Sequence, residues 1–305
     1  MSPNRIGRVG VLAGGPSNER EISLRSGRAV HAGLVSKGLD AVLLDVRNDL
    51  QDVLKDNRID VAFIALHGRF GEDGTVQKIL EDMKIPYTGS RAKASKTALD
   101  KALTKAVFER SGIPTPRYMI FEKGDFNAED CSHLGFPMVV KPHLEGSSIG
   151  LSVVKDKNEL LAALNKAFEY GELALVEEYV AGRELTVGIL DDEPLPVIEI
   201  VTKDNLYDYK AKYADPETKY LVPAPLDEGT VKRVQALGKS SHLALGCRCF
   251  SRIDMIMGPS ARLFVLEANT IPGMTERSLL PKAAQAIGLS FGDLCIRLVE
   301  NALTI

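Results

Sequence analysis

Three short apolar runs in the first 66 residues alternate with helix-like stretches, and this alternation limits the possible folds more than any other feature of the chain. The runs lie within residues 8–13, 40–46 and 60–66, and the last is continuously apolar over residues 61–66, as in a strand covered on both faces. Between the first two runs, Val30 and Leu34 have helical spacing. Strands joined by helices form a parallel open sheet with right-handed crossovers. The chain is therefore predicted to begin with an α/β domain.

The bulk properties of the chain exclude several classes of protein. At 305 residues it is long enough for about two or three domains with a sizeable core. A formal net charge of −3 gives no electrostatic reason to bind nucleic acid or an anionic membrane. No apolar stretch reaches the roughly 18 residues of a membrane span, and the N-terminus has no signal-peptide core. We therefore expect a cytoplasmic protein.

Four cysteines are scattered through the chain at positions 131, 247, 249 and 295. Their spacing fits no zinc site, and Cys247 and Cys249 are predicted to lie on one face of a strand. We interpret all four as reduced, small apolar side chains.

Polar residues follow the first and third predicted strands. In open parallel sheets, ligands bind beyond the carboxyl ends of the strands, and here these ends carry Glu19 and the segment HGRFGEDG, which begins at His67. The three glycines of that segment suggest that its backbone lies close to a ligand. The alternatives are that Glu19 only complements the positive end of a helix and that His67 is a loop histidine without a role.

A second region begins near residue 91. One unbroken amphipathic helix is predicted from there to Gly112, and a proline-rich break follows at residues 113–116. Strands are predicted near residues 118–121, 138–141, 151–154 and 174–178, with a helix over 159–169.

The loop HLEGSSIG, residues 143–150, lies between two of these strands. We call it the glycine loop. Its N–H and hydroxyl donors suit phosphates, and Lys141 just before it adds a point charge. The loop also matches the G-x-S-x-G nucleophile motif around Ser148, but that motif requires a helix afterwards, and a strand is predicted. Because the Walker and dinucleotide-binding glycine motifs are absent as well, a serine hydrolase, a P-loop enzyme and a nicotinamide enzyme are all disfavoured.

Residues 252–278 are predicted to begin with a hairpin that turns at residues 258–260. If Met257 pairs with Arg262, one face carries Arg252, Asp254, Leu263, Val265, Glu267 and Asn269, and the core face carries Ile253, Met255, Met257, Phe264 and Leu266. Two carboxylates about 4 Å apart repel by roughly 4 kcal/mol at an effective dielectric constant of 20, which calls for a cation between them. Ligands that are all oxygen atoms favour magnesium. The alternative is a structural ion pair between Arg252 and Glu267.

The polar segment 207–220 shows neither helical nor strand periodicity and is predicted to be a loop. Long polar loops in compact domains are often functional. Lys212 and Tyr213 could face a phosphate there, and the alternative for Lys212 is an ordinary solvated lysine.

Seven segments, in this order, resemble the D-alanine–D-alanine ligases, a family of the ATP-grasp superfamily. They are GGPSNEREISLRSG, FIALHGRFGEDG, IPYTGS, VVKPHLEGSSIG, YDYKAKY, SRIDMIM and LEANTIPGMT. The resemblance spans essentially the whole chain. It implies an ATP-grasp fold with an α+β central domain, preceded by the parallel open-sheet domain, with domains at residues 1–90, 91–181 and 182–305.

The resemblance also implies residues for ATP and for metal. ATP would lie between the central and C-terminal domains, bound by Lys101, Lys141, Glu145, Ser147, Ser148, Glu177, Glu178, Val180, Glu184 and Lys212. Two Mg²⁺ ions, or Mn²⁺ in their place, would be bound by Asp254, Glu267 and Asn269.

The substrates implied are two D-alanine molecules, bound by Glu19, His67, Arg252, Gly273, Ser278 and Leu279. The carboxylate of the first would attack the γ-phosphorus of ATP, and the amine of the second would attack the resulting acyl phosphate. Tyr213, Ser147 and Glu19 would form a latch over the site. Related ligases for D-serine or D-lactate and an inactive homologue are the alternatives, and a homodimer is expected. The family usually has glycine where this chain has Cys249.

Overall fold

The computed structural model describes residues 6–47, 49–125, 127, 130–202 and 217–304. Within these residues the chain forms three β-sheets covered by helices. No helix in the described part of the chain is both long and apolar enough to span a membrane.

The N-terminal sheet is parallel, with strand order β2-β1-β3, which confirms the prediction for the first 66 residues. Its elements are β1 (Val9–Gly14), α1 (Arg20–Ser36), β2 (Ala41–Val46), α2 (Leu50–Asn57), β3 (Val61–Ile64) and α3 (Thr75–Asp82). All residues of β1 and β3 are buried, because helices and other segments of the same chain cover both faces of the sheet. The segments that follow β1 and β3 therefore leave the sheet at the same edge.

The central sheet is antiparallel, with strand order β4-β7-β5-β6. Its strands and packed helix are β4 (Tyr118–Glu122), β5 (Met138–Pro142), β6 (Ser152–Val154), α6 (Lys157–Phe168) and β7 (Leu173–Glu178). These elements agree with the predicted ones to within a few residues.

The single helix predicted between residue 91 and Gly112 is wrong, since two helices occupy this stretch. They are α4 (Ala92–Leu99) and α5 (Lys101–Arg110). Asp100 separates them in an extended conformation, and its carboxylate accepts hydrogen bonds from the backbone N–H groups of Ala102 and Leu103, at 3.0 and 3.1 Å. The N-cap makes Lys101 the first residue of α5.

The C-terminal sheet has strand order β11-β10-β8-β12-β13, and β9 pairs with β8. Its strands are β8 (Arg183–Leu190), β9 (Glu193–Pro194), β10 (Ile198–Val201), β11 (Lys219–Leu221), β12 (Phe250–Met257) and β13 (Leu263–Asn269). Helices α7 (Glu228–Ala244), α8 (Leu279–Gln285) and α9 (Phe291–Leu303) accompany it. The predicted loop 207–220 is thus wrong at its end, because Lys219 and Tyr220 belong to β11, where Tyr220 pairs with Ile200.

The predicted strand at Cys247 and Cys249 is also wrong. Both cysteines lie in the turn between α7 and β12, and Cys249 has a left-handed backbone with φ of +62°. All four cysteines are buried free thiols, as predicted.

The hairpin of β12 and β13 forms, but the predicted register is wrong. Met257 pairs with Leu263 rather than Arg262, and a bulge shifts the register again, so that Asp254 pairs with Glu267 and Arg252 with Asn269. Val265 therefore packs in the core with Ile253 and Met255. Leu266 and Glu267 both turn towards the site, which brings the two carboxylates onto directly opposed residues.

The largest apolar cluster joins the first and last parts of the chain. It contains Val11 and Phe63 from the N-terminal sheet, Phe250 from β12 and Leu298 from α9. This shared core fixes the loops that follow β1 and β3 above the end of β13, where the candidate site lies.

Candidate active site

Two neighbouring pockets lie where the three sheets meet, and both are lined by Lys101 and Glu267. The first, which we call the loop pocket, is a cavity of about 270 Å³ bounded by α1, the segments after β3 and β13, and the glycine loop. The second, which we call the sheet pocket, measures about 100 Å³ and lies between the central and C-terminal sheets. A group bound at Lys101 and Glu267 would therefore be within reach of both cavities.

Every predicted site residue in the described part of the chain lines one of these pockets. The loop pocket contains Glu19, His67, Ser147, Arg252, Asn269, Gly273, Ser278 and Leu279. The sheet pocket contains Lys141, Glu145, Ser148, Glu177, Glu178, Val180, Glu184 and Asp254. Lys212 and Tyr213 lie outside the described residues.

The sheet pocket is polar at its lysine end and apolar on its walls. Lys141 is the penultimate residue of β5, and its Nζ lies 2.5 Å from Oε1 of Glu177 on the neighbouring strand β7. Burial by itself would raise the pKa of Glu177, but the ammonium groups of Lys105 and Lys141 outweigh it and hold the pKa at about 2. Glu177 therefore stays ionised and fixes Lys141 in the pocket. The apolar walls include Val139, Ile256 and Leu266.

The glycine loop covers the sheet pocket and is fixed at several points. Lys101 Nζ donates a 2.5 Å hydrogen bond to the carbonyl oxygen of Glu145, and Ser147 and Ser148 have left-handed φ angles of +50° and +59°. Arg69, from the loop after β3, lies with its Nε 2.9 Å from Oε1 of Glu145. Arg69 also donates a hydrogen bond to the carbonyl oxygen of Tyr170, between α6 and β7. The loop is thus held against elements on both sides of the site.

The wall of the loop pocket formed by α1 carries Glu19 and Ser26. Glu19 is the N-cap residue of α1, yet its buried carboxylate makes no capping hydrogen bond and instead accepts one from the hydroxyl of Ser147. Ser26 also lines the pocket, although it was missed by the sequence analysis. Glu19, Ile22 and Ser26 are spaced three and four residues apart, so Ser26 lies on the same face of α1 as Glu19. This spacing was the sequence signal that could have predicted Ser26.

His67 joins the loop after β3 to the segment after β13. Its Nδ1 lies 3.0 Å from the carbonyl oxygen of Ile271, which can only accept a hydrogen bond, so Nδ1 carries the proton. Nε2 then accepts from the hydroxyl of Ser26 at 3.0 Å, and Ser26 Oγ accepts from the backbone N–H of Met274 at 3.3 Å. Nearby, burial raises the pKa of Glu72, whose carboxylate lies 3.8 Å from Nδ1. This network orients the pocket-facing part of both loops.

The polar face of the hairpin centres on Asp254. Arg252, two residues earlier on the same strand, donates to both of its oxygens, from Nε at 2.9 Å and from Nη2 at 2.7 Å. The hydroxyl of Thr186 donates to Oδ1 at 2.7 Å. In this register Arg252 lies opposite Asn269, and Glu267 lies opposite Asp254.

The residues predicted to hold magnesium have the donor atoms for it. Asp254 and Glu267 are opposed, Asn269 lies two residues further on β13, and all three line one or both of the neighbouring pockets. Among the described residues no group of three or more His, Cys, Asp or Glu side chains could hold a metal. The predicted set has only two carboxylates and one amide oxygen, so it offers oxygen ligands but too few to complete a coordination shell. Such a set fits an ion that takes its other ligands from water and substrate phosphates.

The floor of the loop pocket is the segment between β13 and α8. Ser278 is the N-cap residue of α8, and its Oγ accepts a hydrogen bond from the backbone N–H of Thr275 at 3.1 Å. A Cβ placed on Gly273 would lie only 3.1 Å from Ser278 Oγ. Glycine at this position therefore keeps the backbone close to the hydroxyl.

Two family models match the sequence. The model described as D-ala D-ala ligase C-terminus matches residues 107–300, and the one described as D-ala D-ala ligase N-terminus matches residues 46–90. The D-alanine–D-alanine ligase of Pelobacter propionicus is 47% identical over 99% of this chain and 98% of its own length. That of Trichlorobacter lovleyi is 48% identical over 97% of this chain and 95% of its own length.

A solved structure has the same architecture. The crystal structure of D-alanine–D-alanine ligase from Bacillus anthracis complexed with ATP matches with a TM-score of 0.87 at 35% identity, covering 98% of both chains. The fold is thus the ATP-grasp fold preceded by a parallel open-sheet domain, as expected. Because the family models cover more than half of the sequence and the relatives match it almost from end to end, this chain belongs to the D-alanine–D-alanine ligase family.

Proposed function

We propose that this protein is an ATP-dependent ligase that joins two D-alanine molecules into D-alanyl-D-alanine for peptidoglycan precursors, releasing ADP and phosphate. The observation that carries the proposal is that Lys101 and Glu267 line both pockets. A nucleotide in the sheet pocket would then end at the cavity that holds the amino acids. The full-length relatives that bear this name support the same activity.

ATP is proposed to occupy the sheet pocket. Val139, Ile256 and Leu266 offer an apolar surface for the base, and the segment Glu177–Val180 lies beside it, with Glu184 near the ribose. Lys101 and Lys141 would bind the phosphates, as would Lys212, and the glycine loop would close over them through Glu145, Ser147 and Ser148.

D-alanine is proposed to occupy the loop pocket. Glu19 would bind the ammonium group of the first D-alanine, and His67 would lie near its carboxylate. Ser278 and the N–H of Leu279 would bind the carboxylate of the second. The hydrogen bond between Ser147 and Glu19, together with Tyr213, would close the cavity against water.

The reaction would then proceed in two displacements. A carboxylate oxygen of the first D-alanine attacks the γ-phosphorus, and the bond to the leaving ADP breaks, giving D-alanyl phosphate. The amine of the second D-alanine loses a proton and attacks the acyl carbon, after which phosphate leaves and the peptide bond remains. Arg252 and the N–H of Gly273 would stabilise the oxyanion between these events, an effect that is typically about 3–4 kcal/mol for one donor.

Asp254, Glu267 and Asn269 would hold two Mg²⁺ ions, or Mn²⁺ in their place. The ions would neutralise phosphate charge during transfer. Arg252 would keep Asp254 oriented for this role through its two hydrogen bonds.

Three coarser features complete the proposal. The enzyme would act in the cytoplasm, where ATP is available, and as a homodimer. Its domains would be residues 1–90, 91–181 and 182–305. Each of the three sheets falls within one of these ranges, and among the described residues no strand crosses a proposed boundary.

The test is phosphate release from ATP and Mg²⁺ by the purified protein, with D-alanine, L-alanine, D-serine or D-lactate. We expect release that requires D-alanine, a product with the mass of the dipeptide, and loss of release in Glu267→Gln. The control Glu228→Gln changes an exposed glutamate at the start of α7 and should behave as the wild type. Absence of release with every amino acid would contradict the proposed function.

A further inference from the structure

Lys105 is the most deeply buried charged group among the described residues between 91 and 181, and it lines neither pocket. It lies one turn after Lys101 on α5, with 1% of its surface exposed. Its ammonium donates a 2.6 Å hydrogen bond to the hydroxyl of Thr115 and lies 2.7 Å from Oε2 of Glu177. It also sits 5.5 Å from the centre of the Tyr118 ring. Lys105 therefore cannot touch a bound nucleotide.

Glu177 connects this hidden lysine to the pocket. Its Oε2 faces Lys105, and its Oε1 lies 2.5 Å from Nζ of Lys141, which lines the sheet pocket. The three groups carry a net charge of +1 as long as Lys105 is protonated. Without that charge, Lys141 and Glu177 would be a neutral pair, and the pocket would offer much less attraction to phosphates.

We propose that Lys105 is a positioning residue for the nucleotide: it binds one oxygen of Glu177, so that the other oxygen can hold Lys141 while the cluster keeps a net positive charge. The inference rests on the proposed binding of ATP in the sheet pocket. Lys105 acts through Glu177 and Lys141 rather than on the substrate. Its removal should weaken ATP binding without affecting D-alanine in the loop pocket.

The proposal also implies a dependence on pH. Burial lowers the pKa of Lys105 to about 8, against the raising effect of Glu177, so its proton is lost well before that of a solvated lysine. The groups that face it are Glu177 on β7, Lys141 on β5, Glu109 on α5 and Tyr118 on β4. Burial raises the pKa of Tyr118 to about 12, so the phenol stays neutral as Lys105 titrates. ATP affinity should therefore fall as the pH rises through about 8.

The test is equilibrium binding of ATP, measured by calorimetry on the full chain between pH 6.5 and 9.5, together with the KM for ATP and for D-alanine. Lys105→Met should weaken ATP binding by about tenfold at pH 7, from loss of a nearby unit charge in a partly buried setting. Its KM for D-alanine should stay within twofold of the wild type. The wild type should lose affinity above pH 8, and Lys105→Met should show a flat profile there.

One further variant separates the effect of charge from that of packing, and a second serves as a control. Lys105→Arg keeps the positive charge and should restore most of the ATP affinity, whereas Lys232→Met removes a lysine charge that is 72% exposed and should change nothing. Wild-type ATP affinity in a folded Lys105→Met would overturn the inference, and so would an equal rise of both KM values. If Lys105→Met does not fold, a wild-type affinity that is constant from pH 7 to 9.5 would overturn it.

Failure of the proposed function would look different. An ATP affinity that depends on Lys105, with no release of phosphate on addition of D-alanine, would support the positioning role and contradict the ligase activity. Normal ligation with no effect of Lys105→Met on ATP affinity would support the ligase activity and contradict the positioning role.

Discussion

The sheet pocket and the loop pocket are adjacent, but they are held together by contacts of very different range along the chain. The contact that fixes Lys141 in the sheet pocket joins residues 36 positions apart. The contacts that shape the loop pocket join residues 128 apart at Ser147 and Glu19, 204 apart at His67 and Ile271, and 248 apart at Ser26 and Met274. The lysine end of the sheet pocket therefore forms within one folded region, whereas the loop pocket exists only after the two ends of the chain have met.

This difference separates the expected effects of mutations. Changes in the loop pocket should act on D-alanine and on the acyl-transfer step, and changes around the glycine loop should act on ATP. Variants that affect both substrates equally would show that the division is not real.

The largest effect is expected for Arg252→Met. Removing the guanidinium takes away the proposed oxyanion donor and both hydrogen bonds that orient Asp254, so kcat should fall by about 10²- to 10³-fold. The affinity for ATP, measured by calorimetry, should change much less. Lysine at this position keeps the positive charge but lacks the paired N–H donors of the guanidinium, so Arg252→Lys should recover only a small part of the rate. A variant with normal kcat and a raised KM would contradict the assignment.

Glu19→Gln should have the next largest effect and should sharpen the division between the pockets. It removes the negative charge proposed for the ammonium of the first D-alanine, and loss of a charged hydrogen bond lowers kcat/KM for D-alanine by roughly 10- to 100-fold. ATP affinity should stay within about threefold. Glu21→Gln, an exposed change on the same helix, is the matched control. Equal loss of ATP and D-alanine binding would be evidence against the separation.

Arg69→Ala should have a smaller effect, on the opposite substrate. Arg69 holds the glycine loop through Glu145 and Tyr170, but it is half exposed, and exposed ion pairs are weak. We expect the KM for ATP to rise by about two- to fivefold, with the difference from wild type shrinking as salt is added. The KM for ATP of Arg69→Lys should lie between those of the wild type and Arg69→Ala. A rise in the KM for D-alanine alone would contradict the role of the loop contact.

Cys249→Gly provides the baseline, because Cys249 lines neither pocket. Glycine relieves a left-handed backbone by roughly 1 kcal/mol, whereas loss of the buried thiol costs a similar amount. The free energy of unfolding should therefore change by less than about 1 kcal/mol, and kinetics should not change. Cys295→Ala, which loses a buried thiol without backbone relief, should destabilise more in the same denaturant titration. A large loss in Cys249→Gly alone would mean that packing at this turn outweighs its backbone strain.

The sequence predicted the strands and most helices well, because these depend on hydrophobic periodicity, and its motifs named residues that line the two pockets. It failed where one residue interrupts a period. Asp100 carries a side chain that caps a new helix, and periodicity alone cannot distinguish a cap from one more polar residue on a helix face. At Leu266 a bulge places two consecutive residues on one side, so strict alternation assigned Leu263, Val265 and Leu266 to the wrong faces.

Ser26 was missed for a different reason. Its role depends on His67 and on the segment after β13, and neither is near it in sequence. Long-range contacts of this kind follow from the packing of α1 against the two loops and leave only a weak periodic signal in the chain.

The hydrogen bond from Ser147 to Glu19 gives the glycine loop a part in both cavities at once. A ligand in either cavity that favours the closed loop also favours the arrangement that the other ligand requires. Linkage then makes the two substrates effectors of each other: the factor by which D-alanine tightens ATP binding must equal the factor by which ATP tightens D-alanine binding. The enzyme would hold ATP most firmly when its amino acid partner is present.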